Sequence, residues 1–344
     1  MTAPTASARP GPAVRRGPAG LSLAVLVCLA LLALALFASV MSGSKQTPAA
    51  DVWRVITGGG DAYLRTVVES RYPRTVLGVL TGVCLAVAGT LMQGVTRNPL
   101  AEPGILGINA GASASVVAAT AFLGASGQRD TVWWALAGAL VAGVAVYAIG
   151  TAGGGSSPVR LVLAGAVLSA VLAAFIQAVA LSRPRVFDTY RYWVVGALGG
   201  RGFDAVWSVL PFAVVGLLLA LVLAPGLNAL AMGDDKAASL GVSPLRIKGA
   251  GLLAATLLSA AATAAVGPIA FVGLAVPHLV RTLVGADFRL QIVFSVLVGP
   301  SLLLFADVVG RVLLRPEELM VGVVTAFVGA PALLLAVRRM RGAA

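Results

Sequence analysis

The sequence predicts an all-α integral membrane protein with about ten transmembrane helices. Three observations carry this reading. Of its 344 residues, 59% are hydrophobic and only 11% charged, against about a quarter charged in soluble domains. Apolar segments near the roughly 20 residues needed to cross a bilayer recur along the whole chain. No polar stretch is left that could form a soluble catalytic domain.

Taken in order, residues 1–20 are rich in Pro, Ala and Gly and carry Arg9, Arg15 and Arg16. They read as a disordered basic tail. The apolar run 21–41 follows. A basic flank before an apolar core also describes a secretory signal peptide. This core is longer than such cores and further spans follow, so it is read as an uncleaved first helix. The other candidate spans are 75–93, 105–123, 132–149, 159–181, 205–224, 249–266, 269–284, 291–309 and 321–337. The eighth is short and follows Gly267-Pro268, which predicts a bend or re-entrant piece. Together 21–338 form one transmembrane domain, with a short tail at 339–344. Small residues recur at helical spacing: Gly82, Ala86 and Gly89; Gly107 and Gly111; Gly138 and Ala142. Such spacing lets helix backbones approach closely in lipid.

The net charge is +12. In a soluble protein this would suggest nucleic-acid binding. Here the basic residues are scattered between apolar segments, as anchors at lipid headgroups, and no nucleic-acid partner is expected. Cys28 and Cys84 both lie in apolar segments, which argues against a disulfide framework. With His278 the lone histidine, the chain is too poor in ligands for a zinc site. Both ends are basic (Arg9, Arg15 and Arg16; Arg338, Arg339 and Arg341), which places both termini in the cytoplasm by the positive-inside rule. The loops then presumed outside carry nearly as many basic residues as those inside, and that basic outer face needs a reason.

The most specific stretch is RYPRTVLGVLTGVCLAVAGTLMQGVTRNPLAEPGILGINAGA at 71–112. Arg71 and Arg74 flank Pro73 at a helix entrance, where Pro is favoured. Arg97-Asn98-Pro99 makes a polar turn. Pro99, Pro103, Gly104 and Gly107 then keep the chain out of regular helix. This stretch resembles the signature of the FecCD-type permeases, importers of iron-siderophore, haem and cobalamin. That signature has an R-x-P-R entrance, a small-residue helix ending in Gln, R-N-P-L-A-x-P and a Gly-rich restart. LNALAMGDDKAASLGV, GPIAFVGLAVPHLVRTLVGADFR and ADVVGRVLLRPEELMVGVVTAFVGAPALLLAVRR match later family motifs in order. One departure is Phe288, where relatives commonly have His.

The resemblance implies ten helices per subunit and a dimeric permease around a central pathway, with an identical or paralogous second subunit. It also implies two ATPase subunits, which bind ATP and Mg, and an extracytoplasmic substrate-binding protein. No cofactor is expected on this chain, which performs no covalent chemistry. The sequence contains no G-x-x-x-x-G-K-[ST] phosphate loop; Gly153-Gly154-Gly155-Ser156-Ser157 lacks the lysine.

The resemblance assigns roles. The loop 225–248 carries the ATPase-coupling helix, with Gly233, Asp234, Ala237, Leu240 and Gly241 as its candidate residues. Asp234 suits a helix start and Gly241 a helix end; the alternative is an ordinary solvated loop. Arg97, Asn98 and Pro99 either touch the ATPase or form a structural turn. Arg71, Arg74 and Arg311 are the candidate receivers of acidic residues from the binding protein, the alternatives being headgroup snorkelling or, for Arg311, pairing with Asp307, Glu317 or Glu318. Ser156 and Ser157, in the loop 151–160, are the candidate inner gate. Trp193 and Gly196, in a W-x-x-G-x-L pattern, are expected at the outer mouth on a short helix. The Pro277, His278 and Arg281 motif reads as structural. Asp307 and Gln177 are conspicuous polar groups within spans; Gln177 either faces the pathway or bonds a neighbouring helix.

The function expected is the transmembrane subunit of an ATP-driven importer of metal chelates in the cytoplasmic membrane, with ferric siderophore first. Haem or cobalamin import is the alternative by the same mechanism. An ion-coupled secondary transporter is the alternative of another class. Such a transporter usually needs carboxylates or unwound carbonyls near the midplane, and Asp307 is off-centre.

Overall fold

The computed structural model describes residues 17–43, 47–152 and 158–341, with 158 and 332–341 as backbone only. The predicted tail 1–20 lies outside the described residues up to 16; helix begins at Pro18.

Fourteen α-helices are described: α1 Pro18–Met41, α2 Ala49–Ile56, α3 Ala62–Glu69, α4 Arg71–Thr96, α5 Ile108–Phe122, α6 Gly127–Thr151 and α7 Pro158–Ser182, then α8 Pro184–Val194, α9 Phe203–Ala231, α10 Asp234–Ser239, α11 Pro244–Val266, α12 Val272–Val284, α13 Phe288–Leu313 and α14 Val321–Arg341. A 3-10 turn, Pro103–Leu106, precedes α5. Among the described residues seven helical segments are long and apolar enough to cross a membrane, and α5, α12 and the Val321–Pro331 part of α14 are shorter apolar helices. These ten correspond one to one with the ten predicted spans. The short helices α2 and α3 are absent from the sequence reading. They pair through Val52, Val55 and Val68, which also meet Val40, Met41 and Tyr72.

α4 is the central post, packed against α13, α11, α12 and α9. Its small residues make this closeness achievable. A Cβ on Gly82 would lie 2.5 Å from the Pro300 backbone, and one on Gly89 would lie 1.8 Å from the carbonyl oxygen of Gly273. α5 and α6 use the same device, since a Cβ on Gly111 would lie 2.3 Å from that of Ala142. Direct backbone contact replaces the hydrophobic drive that lipid cannot supply. The outer helices present an apolar surface: Leu23, Leu26, Leu34 and Phe37 of α1 and Leu163, Val167 and Val171 of α7 are all exposed.

The expected break after Gly267 is present. Gly267 has φ +85° and Phe271 φ +69°, and regular helix resumes only at Val272. With 13 residues, α12 is roughly 20 Å long, short of the roughly 30 Å hydrocarbon core. The non-helical piece is partly buried, at Gly267 and Ile269, as lipid demands, and just before it Ala197 N–H donates to O of Val266, the last residue of α11, at 2.8 Å.

Candidate functional site

The 26 residues of α4 make a post roughly 39 Å long, and a polar cluster sits at each end of it. At the first, Arg71 opens α4 and Arg311 lies in the last turn of α13. α1 ends beside them with no basic residue in its own last turn, and its final carbonyls lack intrahelical partners. The two arginines supply those partners. Arg71 donates to Val40 O at 2.9 Å, Met41 O at 3.0 Å and Thr47 Oγ1 at 2.9 Å. Arg311 donates to Ser39 O at 2.8 Å and to Ser42 O.

Asp307 completes the cluster. It is 1% exposed, one helical turn before Arg311 and 2.8 Å from it. Arg74 also meets Asp307 at 2.8 Å, and its other terminal nitrogen meets Glu318 at 2.8 Å. A buried carboxylate held by two guanidiniums is a paired charge, the form in which burial is tolerated. Of the partners weighed for Arg311, Asp307 is the one used. The docking candidates Arg71, Arg74 and Arg311 therefore stand together, each with intramolecular partners, and line a cavity of about 470 Å³. The loop Gly199, Gly200, Arg201 and Gly202 also lines it.

At the other end, α4 stops because Arg97 turns left-handed, at φ +50°. Asn98 Oδ1 then accepts from Leu100 N at 3.0 Å, the side-chain-to-backbone bond that makes an Asx turn. The guanidinium of Arg97 pairs with Asp234 at the start of α10. Lys248 of α11 meets the same carboxylate at 2.6 Å. The Lys248 ammonium, hydrogen-bonded to Asp234, holds its carboxyl below the usual aspartate range; partial burial opposes this and Arg97 adds to it. One side chain thus ties the ends of α4, α10 and α11. The short helix expected within the loop 225–248 is α10, between Gly233 at φ +114° and Gly241 at φ +78°. Ala237 is fully buried, whereas Leu240 is 62% exposed. The short helix is thereby anchored on one side and presents an apolar knob on the other.

Other sequence candidates fall as follows. Ser156 and Ser157 lie outside the described residues. Trp193, in the last turn of α8, is 4% exposed and belongs to the main core, while Tyr192 is exposed. Gly196, at φ +73°, accepts a backbone hydrogen bond from Gly322 at 3.2 Å; a Cβ there would sit 2.3 Å from Pro268 O. The W-x-x-G-x-L segment is thus a junction between the α11–α12 connection and α14. Gln177 is on the exposed side of α7.

Two residues that hold the structure together were not singled out from the sequence. Lys248 could have been found only by knowing that α11 starts beside α10. Glu102 occupies the unspecified position of R-N-P-L-A-x-P, and its carboxylate accepts from Phe271 N at 2.8 Å. It thereby satisfies a free amide at the start of α12 and links the Arg97 turn to that broken helix.

A polytopic apolar bundle with distinct polar surfaces at its two ends is the build of a transport permease. The chain belongs to the FecCD transport family, which it matches over residues 31–339, and it is accordingly a membrane permease of the ABC-importer type. It is 46% identical over 320 residues to the ferric enterobactin transport system permease protein FepD of Escherichia coli (strain K12), covering 92% of this chain and 96% of that one. It is 36% identical over 318 residues to the probable siderophore transport system permease protein YfiZ of Bacillus subtilis (strain 168), covering 92% and 96%. An inward-facing structure of a metal-chelate type ABC transporter superposes with a TM-score of 0.78 at 25% identity, over 91% of this chain and 99% of that one.

Proposed function

We propose that the chain is the pathway-forming subunit of an ATP-driven importer of ferric siderophores. The observation that carries this is the pair of dissimilar surfaces at the two ends of α4: an arginine-lined cavity at one and the Asp234-clamped helix α10 at the other. The first has the charge to receive an acidic substrate-binding protein, the second the protruding shape to enter a groove of an ATPase. The cargo follows from the similarity to siderophore permeases.

In this reading the cavity end faces outward and both termini lie in the cytoplasm. A second permease subunit, identical or paralogous, completes the pathway. Two ATPase subunits bind ATP and Mg and act on α10 and on the Arg97 turn. Their closure moves α10, and the Asp234 clamp passes that motion to α4 and α11 together. Ser156 and Ser157, outside the described residues, remain the inner-gate candidates that the family resemblance implies. The arginines Arg71, Arg74 and Arg311 form the floor on which the binding protein seats.

The test is uptake of radiolabelled iron from a panel of siderophores, in a strain lacking this gene and in the complemented strain. Uptake of one chelate is expected to vanish and return. Normal uptake of every ferric chelate in the deletion strain would overturn the cargo assignment, and loss of cobalamin or haem uptake instead would replace it.

A further inference from the structure

We infer that Arg201 is the guanidinium that pairs directly with an acidic side chain of the substrate-binding protein. This rests on the proposed docking at the cavity end and names the residue that performs it. Four arginines line the cavity: Arg71, Arg74, Arg201 and Arg311. Three of them already have partners. Arg71 and Arg311 cap α1, while Arg74 and Arg311 share Asp307 and Arg74 also holds Glu318. Arg201 has no hydrogen bond or ion pair among the described residues. The two carboxylates of this cluster, Asp307 and Glu318, leave two of the four positive charges uncompensated.

The local backbone suits an adjustable contact. Gly200 has φ +71°, and Gly199 and Gly202 flank the pair, so Arg201 stands on a segment with no neighbouring side chains. A Cβ on Gly199 would lie 3.1 Å from Arg74 Nη1 and 3.7 Å from Glu318 Oε2. The loop therefore lies directly over the Arg74–Glu318 pair, and bare glycine keeps that approach open. Burial without a compensating acid lowers the Arg201 pKa. A cation so placed gains most from an incoming carboxylate, because part of its hydration is already lost before the partner arrives. Arg71 and Arg311 would each have to abandon α1 carbonyls to do the same.

The experiment is a binding titration of the purified permease–ATPase complex in nanodiscs with its substrate-binding protein, at two salt concentrations. Arg201→Ala and Ser70→Trp are compared with the parent; Ser70 also lines the cavity. Arg201→Ala is expected to weaken binding by about tenfold or more, the scale of a charge-assisted hydrogen bond, and to flatten the salt dependence. Its thermal stability should equal the parent's, since Arg201 makes no hydrogen bond or ion pair among the described residues. Weakened binding by Ser70→Trp with unchanged binding by Arg201→Ala would overturn the role of Arg201 and leave docking at this end intact. Unchanged binding by both variants would overturn the docking reading and this inference with it. A fall in stability of Arg201→Ala matching its loss of binding would make the residue structural and overturn the inference.

Discussion

Arg74 and Asp307, 233 residues apart in the chain, meet through a two-nitrogen hydrogen-bonded pair with a shortest distance of 2.8 Å. Asp307 also holds Arg311, so a single buried carboxylate bridges two guanidiniums from different helices. Asp307→Ala removes the partner and leaves both charges behind. Breaking a buried pair from one side costs about 3–5 kcal/mol. The variant is expected to melt well below the parent in detergent, as read by thermal unfolding. An unchanged melting temperature would show that water reaches the cluster.

The opposite end behaves differently because it is solvated. Asp234 and Arg97 are 44% and 40% exposed, and exposed pairs contribute no more than about 1 kcal/mol. Asp234→Asn keeps an oxygen for the Lys248 ammonium, which is 14% exposed, and is expected to cost little thermal stability while reducing transport-coupled ATP hydrolysis in the assembled importer. Equal loss of stability and coupling would mean that Asp234 is a folding residue only.

The same carboxylate fixes a pH dependence. Its folded pKa is depressed, chiefly by the Lys248 hydrogen bond. The clamp's contribution is fully present above the ordinary aspartate pKa and is lost as pH falls through the lower folded value. Coupling carried by Asp234 should consequently be flat between about pH 6 and 8. A step within that interval that disappears in Asp234→Asn would contradict the assignment.

Glu102 offers a third comparison. Glu102→Gln retains an acceptor for the Phe271 amide, whereas Glu102→Ala leaves that amide unsatisfied at a cost of about 1–3 kcal/mol. Thermal unfolding should rank parent and Gln close together with Ala below. Identical Gln and Ala variants would remove the bond's importance.

The backbone contact between α4 and α12 gives the sharpest steric expectation. A Cβ at position 89 would overlap Gly273 O at 1.8 Å. Gly89→Ala must separate two core helices, and folded yield measured by gel filtration should collapse. Gly200→Ala places its Cβ in open space and should preserve yield, although its positive φ carries a modest strain.

The ten spans were legible because lipid leaves a helix few other compositions, and the small-residue spacings at Gly82, Gly89, Gly111 and Gly138 pointed to contacts that form. The short helix within the loop 225–248 was legible from its flanking glycines and its aspartate. Two kinds of feature were not. α2 and α3 are short and amphipathic, hidden beside long apolar runs. The partners of each arginine depend on tertiary placement: Arg71 and Arg311 look alike in sequence to Arg201, and only the position of α1's free carbonyls separates residues that are occupied from the one that is not.

In the proposed importer, ATP hydrolysed in partner subunits acts through α10 to drive a ferric chelate through this chain. Its most direct test is uptake of radiolabelled ferric siderophore into proteoliposomes containing the permease and its ATPase, with the binding protein added. Uptake is expected to require ATP and binding protein, to persist when proton and sodium gradients are collapsed, and to fall in Asp234→Asn. Uptake by the permease without its ATPase, driven by an imposed ion gradient, would contradict it.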